Sequence, residues 1–120
     1  MRKSTDPQGG GDSAERASRG LAGLDPLLQH RARLGACVLL SGADALSFAR
    51  LKALLDETDG NLGANLRKLE EAEYLTVRKE FVERKPTSWY ALTGKGAKAL
   101  RVHLAAMEAV IRSAGGNGGG

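Results

Sequence analysis

Ten of the 16 glycines in this 120-residue chain lie near its ends, five between Gly9 and Gly23 and five between Gly115 and Gly120. That distribution confines the foldable portion to residues 24–113, and from 24 to 112 about half the residues are apolar, against 42% for the whole chain. A segment of this size encloses one modest core and is too short for a doubly wound cofactor fold or a barrel enzyme. The opening "MRKSTDPQGGGDSAERASRGLAG" is small and polar without helical or strand periodicity, so residues 1–23 read as a disordered N-terminal arm. Residues 114–120 read as a disordered glycine-rich tail.

Global properties narrow the class. No apolar run approaches the roughly 20 residues of a membrane span, and the N-terminus has no apolar secretory core, so the expectation is a cytoplasmic protein. The single cysteine, Cys37, lies in the apolar "LGACVLL" and reads as a packed thiol. With only His30 and His103 besides, no metal site and no cofactor are expected. The net charge is +4, of which +3 falls after residue 92, a balance that permits a polyanionic partner without demanding one.

Asp25 as N-cap and Pro26 at the first helical position open a predicted helix over 26–40. After the breaker "SGAD", "ALSF" is a short extended piece, and Ser47 caps a two-turn helix whose stripe is Phe48, Leu51, Leu54 and Leu55. A polar turn at Asp56 and Glu57 leads to Thr58, the N-cap of a third helix, "DGNLGANLRKLEEAEY". "LTVRKEFV" then alternates as a strand, with a slip at Phe81 and Val82; "ERKPT" is a longish basic tip, and "SWYAL" returns as the second strand of a hairpin. From Thr93 to about Ser113, Ala97, Leu100, Leu104, Met107 and Ile111 form a heptad seam on a helix roughly 30 Å long. The fold class is therefore mainly α with a β-hairpin.

The run "LSFARLKALLDETDGNLGANLRKLEEAEYLTVRKEFVERKPTSWYALTGKGAKAL" resembles the winged helix-turn-helix regulators related to the MarR and ArsR families, over about residues 24–112. These are small bacterial dimeric repressors. The resemblance implies a winged-helix DNA-binding domain with a long C-terminal dimerisation helix. It also implies sequence-specific binding of double-stranded DNA, the third helix entering the major groove and the hairpin, or wing, lying on the backbone or in the minor groove. Relatives usually have glycine at the positions of Asp56 and Glu73, and an apolar residue at that of Glu57.

Residue chemistry on the third helix agrees with that implication. Leu62, Leu66 and Leu69 define its buried face, so Gly60, Ala64, Arg67, Lys68 and Glu71 point outward, small residues first and then basic ones ahead of the acidic end. Gly60 and Gly63 weaken a helix but let its backbone press into a groove. Asn61 and Asn65 flank the face with amides that suit an adenine edge, and Arg67 and Lys68 suit phosphate or guanine. The candidate DNA contacts are Thr58, Gly60, Asn61, Gly63, Ala64, Asn65, Arg67 and Lys68, with Arg84 and Lys85 on the wing. Neighbours on a strand point oppositely, so Arg78 and Lys79 do not both face DNA, and one of Trp89 and Tyr90 belongs to the core.

Surplus apolar surface on the last helix predicts a homodimer, with Leu27, Leu28, Leu100, Leu104, Met107 and Ile111 as interface candidates. A dimer presents two recognition helices to successive major grooves, hence a palindromic operator with half-sites about 10 bp apart or a multiple. Catalysis is not expected: no Ser, His and acid grouping stands out, and "TGKGAK" lacks the spacing of a phosphate-binding loop. The alternative is a winged-helix protein-interaction module without base readout. An effector is left without an identity.

Overall fold

The computed structural model describes residues 8–115. Along the chain run α1 (Gln8–Gly23), a 3-10 turn (Pro26–Leu28), α2 (Arg31–Ser41), β1 (Leu46–Ser47), α3 (Phe48–Leu55), α4 (Asp59–Glu71), β2 (Leu75–Val82), β3 (Lys85–Leu92) and α5 (Gly94–Gly115). They divide into two compact units: Asp25–Leu100, and α1 with α5 from Arg101 onward. The winged-helix arrangement predicted from the sequence is the one observed.

Capping residues punctuate the larger unit. Asp25 Oδ1 accepts from the Leu27 amide at 3.0 Å, but it caps only the single 3-10 turn. The predicted continuous helix over 26–40 is therefore in two pieces. His30 adopts an extended backbone between them, and its Nδ1 accepts from the Ala32 amide at 3.2 Å, so that α2 starts afresh. Ser47 and Thr58 cap α3 and α4 as expected, their hydroxyls accepting from Arg50 N and Asn61 N, each at 3.1 Å.

Both places where the family resemblance implies glycine are left-handed here. Asp56 follows α3 at φ 55°, and Glu73 lies beyond α4 at φ 67°. At each end two amides fold back onto the last turn: Asp56 N to Ala53 O and Glu57 N to Lys52 O, then Glu73 N to Glu70 O and Tyr74 N to Leu69 O. These are Schellman closures built on acidic residues in a region that disfavours a Cβ.

The sheet order is β1-β3-β2, all antiparallel. Val82 pairs with Lys85, so the wing tip is a two-residue turn of Glu83 and Arg84, with φ of 53° and 69°. This corrects the longer predicted tip: Lys85, Pro86 and Thr87 belong to β3. Positive φ at both central residues is the requirement of the type I′ turn that matches strand twist. Because β1 reaches only to Ser47 opposite Trp89, the edge of β3 nearer the tip is open and tolerates a proline.

The core gathers Leu28, Ala36, Cys37, Leu40, Leu51, Leu55, Leu62, Leu66, Leu69, Leu75 and Leu100, with Tyr90 and Phe48 packed against it. Trp89 and Tyr90 are both half-buried, and Tyr90 is the member of the pair that packs against the core. Leu54, placed in the α3 stripe by spacing, is exposed. Gly96 has a local reason to be glycine, because a Cβ there would lie 2.3 Å from the Tyr74 carbonyl oxygen. Thr93 locks the same corner: its hydroxyl donates to Glu73 O at 2.7 Å and accepts from Gly96 N at 2.9 Å. The "TGKG" stretch is a helix start.

In the smaller unit, α1 replaces the disordered arm expected over its residues; the expectation for residues 1–7 lies outside those described. Its half-buried or buried face is Ser13, Ala17, Gly20 and Gly23. Small residues at helical spacing let two helix backbones approach, and a Cβ on Gly20 would come within 2.9 Å of Val110 and 3.3 Å of Ala109. At the other end, α5 continues through Gly115, so the expected tail loses its first two residues to the helix and the remainder lies outside the described residues. No helix among the described residues is long and apolar enough to cross a membrane.

Candidate nucleic-acid interface

Helix α4 buries Leu62, Leu66 and Leu69 and turns Thr58, Gly60, Asn61, Ala64, Arg67 and Lys68 outward, with Gly63 half-buried. Among the described residues, and apart from the neighbouring backbone of α4 itself, nothing lies within 4 Å of a Cβ built on Gly60 or Gly63, and neither has positive φ. Neither packing nor backbone conformation calls for glycine at these two positions. The result is a strip of low relief along the exposed side of α4, bounded at its C-terminal half by Arg67 and Lys68.

Asn65 does not belong to that strip. It is 4% exposed, accepts from the Arg33 guanidinium at 2.7 Å, and donates to Asn61 O at 2.8 Å. Its amide is consumed by joining α2 to α4, which removes it from base readout. Arg33 also donates through Nε to Leu27 O at 2.7 Å, holding a carbonyl of the 3-10 turn. Thr58, for its part, spends its acceptor on the cap.

Asn61 remains on the face and is held by its neighbours. Its Nδ2 donates to Glu57 Oε1, and Glu57 in turn pairs with Arg31 at 2.7 Å. Where the family resemblance implies an apolar anchor in the turn, this chain has an ion pair, with the Glu57 side chain only 12% exposed. Asn61 Oδ1 accepts a long bond from Asn65 Nδ2 at 3.4 Å and keeps a second lone pair, which with the second amide hydrogen is the combination that pairs with an adenine edge. Lys52 and Asp59, 3.0 Å apart, span the same turn.

On the wing, Arg84 occupies the tip and Lys85 opens β3, both exposed. Arg78 contacts Glu80 at 2.5 Å, whereas Lys79 points to the other face of the ribbon. Sequence reasoning did not single out Arg31 or Arg33. Their partners lie 26 to 32 residues away along the chain, beyond the reach of periodicity. Glu57 did stand out as a departure from related sequences, the one signal that pointed toward this network.

Two of the six dimer candidates are core residues. Leu28 is 0% exposed and Leu100 is 5% exposed, and Leu27 packs against the same core. The heptad reading failed there because the first turns of α5 are already covered by their own domain. Farther along, Leu104 and Ile111 are exposed and Met107 is half-buried.

Comparison with known proteins bears on this geometry. The family model described as a winged helix DNA-binding domain matches residues 32–111. An uncharacterised protein of Methanocaldococcus jannaschii is 32% identical over 72 residues, covering 60% of this chain and 78% of that one. Among solved structures, a transcriptional regulator homologue from Pyrococcus horikoshii is 26% identical with a TM-score of 0.71, covering 81% of this chain and 94% of that one. A MarR variant from E. coli shares the fold at 17% identity and a TM-score of 0.64, over 96% of this chain and 87% of the other.

Proposed function

The chain belongs to the winged helix DNA-binding domain family, a family of non-enzymatic regulators, and on that premise we propose that it is a transcriptional repressor that binds a palindromic operator as a homodimer. The observation that carries this reading is the strip on α4, where two glycines unneeded by the fold lie beside Arg67 and Lys68. A helix gains from such a surface when something outside the molecule must approach its backbone. The major groove admits a helix and offers base edges to Asn61 and Arg67 and phosphates to Lys68. Arg84 and Lys85 follow the backbone or the minor groove, where the potential favours cations. Leu104, Met107 and Ile111 supply the apolar surface for pairing two copies.

Selection of bound duplexes from a random-sequence pool tests the reading directly. The expected product is a two-fold repeat with half-sites about 10 bp apart or a multiple. Binding should weaken with salt at a log–log slope of about −0.9 per phosphate neutralised, and Arg84→Ala should reduce that slope by about one contact. An unenriched pool, or binding unchanged by Arg67→Ala together with Arg84→Ala, would refute the assigned face.

A further inference from the structure

Phe81 is 76% exposed, the most exposed of the large apolar side chains described, and it stands next to the wing tip. Open to water among charged residues, Arg78, Lys79 and Glu80 before it and Glu83, Arg84 and Lys85 beyond Val82, the ring is free to meet a partner. Its surroundings specify which. By strand alternation Phe81 shares a ribbon face with Leu75, Val77 and Lys79, and its register partner is Pro86. Leu75 is buried in the core, which α4 also lines, so this is the ribbon face that turns toward the helices. Phe81 and Lys79 extend that face beyond the core.

Val82, also exposed, points to the opposite face. The two side chains therefore form no continuous apolar patch, and a protein partner would find far less than the roughly 800 Å² per side of a stable interface. Charge points the same way: residues 78–85 hold four cations and two carboxylates, and one of those carboxylates, Glu80, is already held by Arg78. A single flat ring flanked by Lys79, Arg84 and Lys85 suits a narrow slot with phosphate walls.

We infer that Phe81 enters the minor groove beside each half-site and wedges partly between two base pairs, Arg84 and Lys79 meeting the flanking phosphates. The inference rests on the DNA-binding reading above and adds a component of specificity that reads no base edge. Unstacking costs least at flexible pyrimidine–purine steps, so the wedge selects TA or CA/TG at a fixed distance outside the half-site.

Parallel random-pool selections with the wild-type chain and Phe81→Ala test it, followed by titration of a selected duplex carrying 2-aminopurine at the flanking step. The wild-type pool should show the repeat and a pyrimidine–purine step in each flank, with a rise in 2-aminopurine fluorescence on binding. Phe81→Ala should retain the repeat, lose both the flank preference and the fluorescence rise, and bind the selected duplex about tenfold more weakly, near the low end for an aromatic ring stacked on a base. A repeat with identical flanks in both pools would overturn the wedge and leave DNA binding standing. Failure of the wild-type chain to enrich any sequence would remove the DNA-binding reading and the wedge with it. A change of oligomeric state in Phe81→Ala by light scattering would assign the ring to a protein contact instead.

Discussion

Arg33 on α2 donates to the side-chain oxygen of Asn65 on α4 at 2.7 Å, a bond that spans 32 residues of sequence and fixes α4 to the body of the domain. Asn65→Ala leaves the half-buried guanidinium without that acceptor, and the expected loss is about 2 kcal/mol. Arg33→Ala should cost a similar amount, and the double variant less than the sum, because the two share one interaction. Urea unfolding of all four proteins measures this. Full additivity would mean that the pair contributes nothing as a pair.

The glycines of α4 predict opposite effects on folding and on binding. Gly63→Ala has open space for its methyl group and should raise stability by about 1 kcal/mol, while Gly60→Ala, in the first turn, should gain less. The same methyl groups hold the helix away from the base edges, so affinity for a selected duplex should fall about tenfold, comparable to one mismatched base pair. Thermal melts and anisotropy titrations on the same preparations check both. A variant that is stabilised and binds DNA as tightly as wild type would show that α4 does not enter a groove.

What the sequence discloses and conceals follows from the range of each interaction. The caps at Ser47 and Thr58, the buried leucines of α4 and both strands of the wing depend on neighbours within a turn or a hairpin, and they are legible. Asn65 is misread because its exposure was judged from helical phase, whereas its burial depends on an arginine in another helix. Helix α1 is hidden because its packing face is Ser13, Ala17, Gly20 and Gly23, residues too small to register as an apolar stripe. The wing turn is shortened by two non-glycine residues with positive φ, Glu83 and Arg84, for which composition carries no signal.

Those left-handed residues make a prediction of their own. Asp56→Gly and Glu73→Gly should each stabilise the domain by about 1 kcal/mol, because glycine occupies this region without the Cβ penalty. Glu83→Asn should do the same more modestly at the first turn position, where asparagine is favoured. Chemical denaturation measures each gain. A loss at Asp56 or Glu73 would indicate that the carboxylate, through contacts such as Glu73 with Lys95 at 3.7 Å, outweighs backbone strain.

The dimer prediction moves along α5. Leu104→Glu and Ile111→Glu place charges on exposed positions and should yield folded monomers, visible as halved mass in light scattering with unchanged helicity. Leu100→Glu should instead unfold the domain, since it buries an unpaired carboxylate in the core. A wild-type chain already monomeric at micromolar concentration would reject the pairing.

Alkaline pH should destabilise the fold through Cys37. Burial, assisted by the nearby Asp25 charge, pushes this thiol up to about 11, while an unfolded cysteine ionises near 8.5. Between those values the native state holds a proton that the unfolded state has lost, so stability is full below about pH 8.5 and falls as pH rises toward 11. The expected loss is about 1 kcal/mol by pH 9.5. Tyr74, raised to about 12 by burial and by its hydrogen bond to Asp25, extends the decline above pH 10 in the same direction. Urea midpoints of wild type and Cys37→Ala at pH 7, 8.5 and 9.5 isolate the thiol. The variant will start less stable because it leaves a small cavity, yet its curve should be flatter over this window; parallel curves would show that the native thiol ionises as freely as the unfolded one.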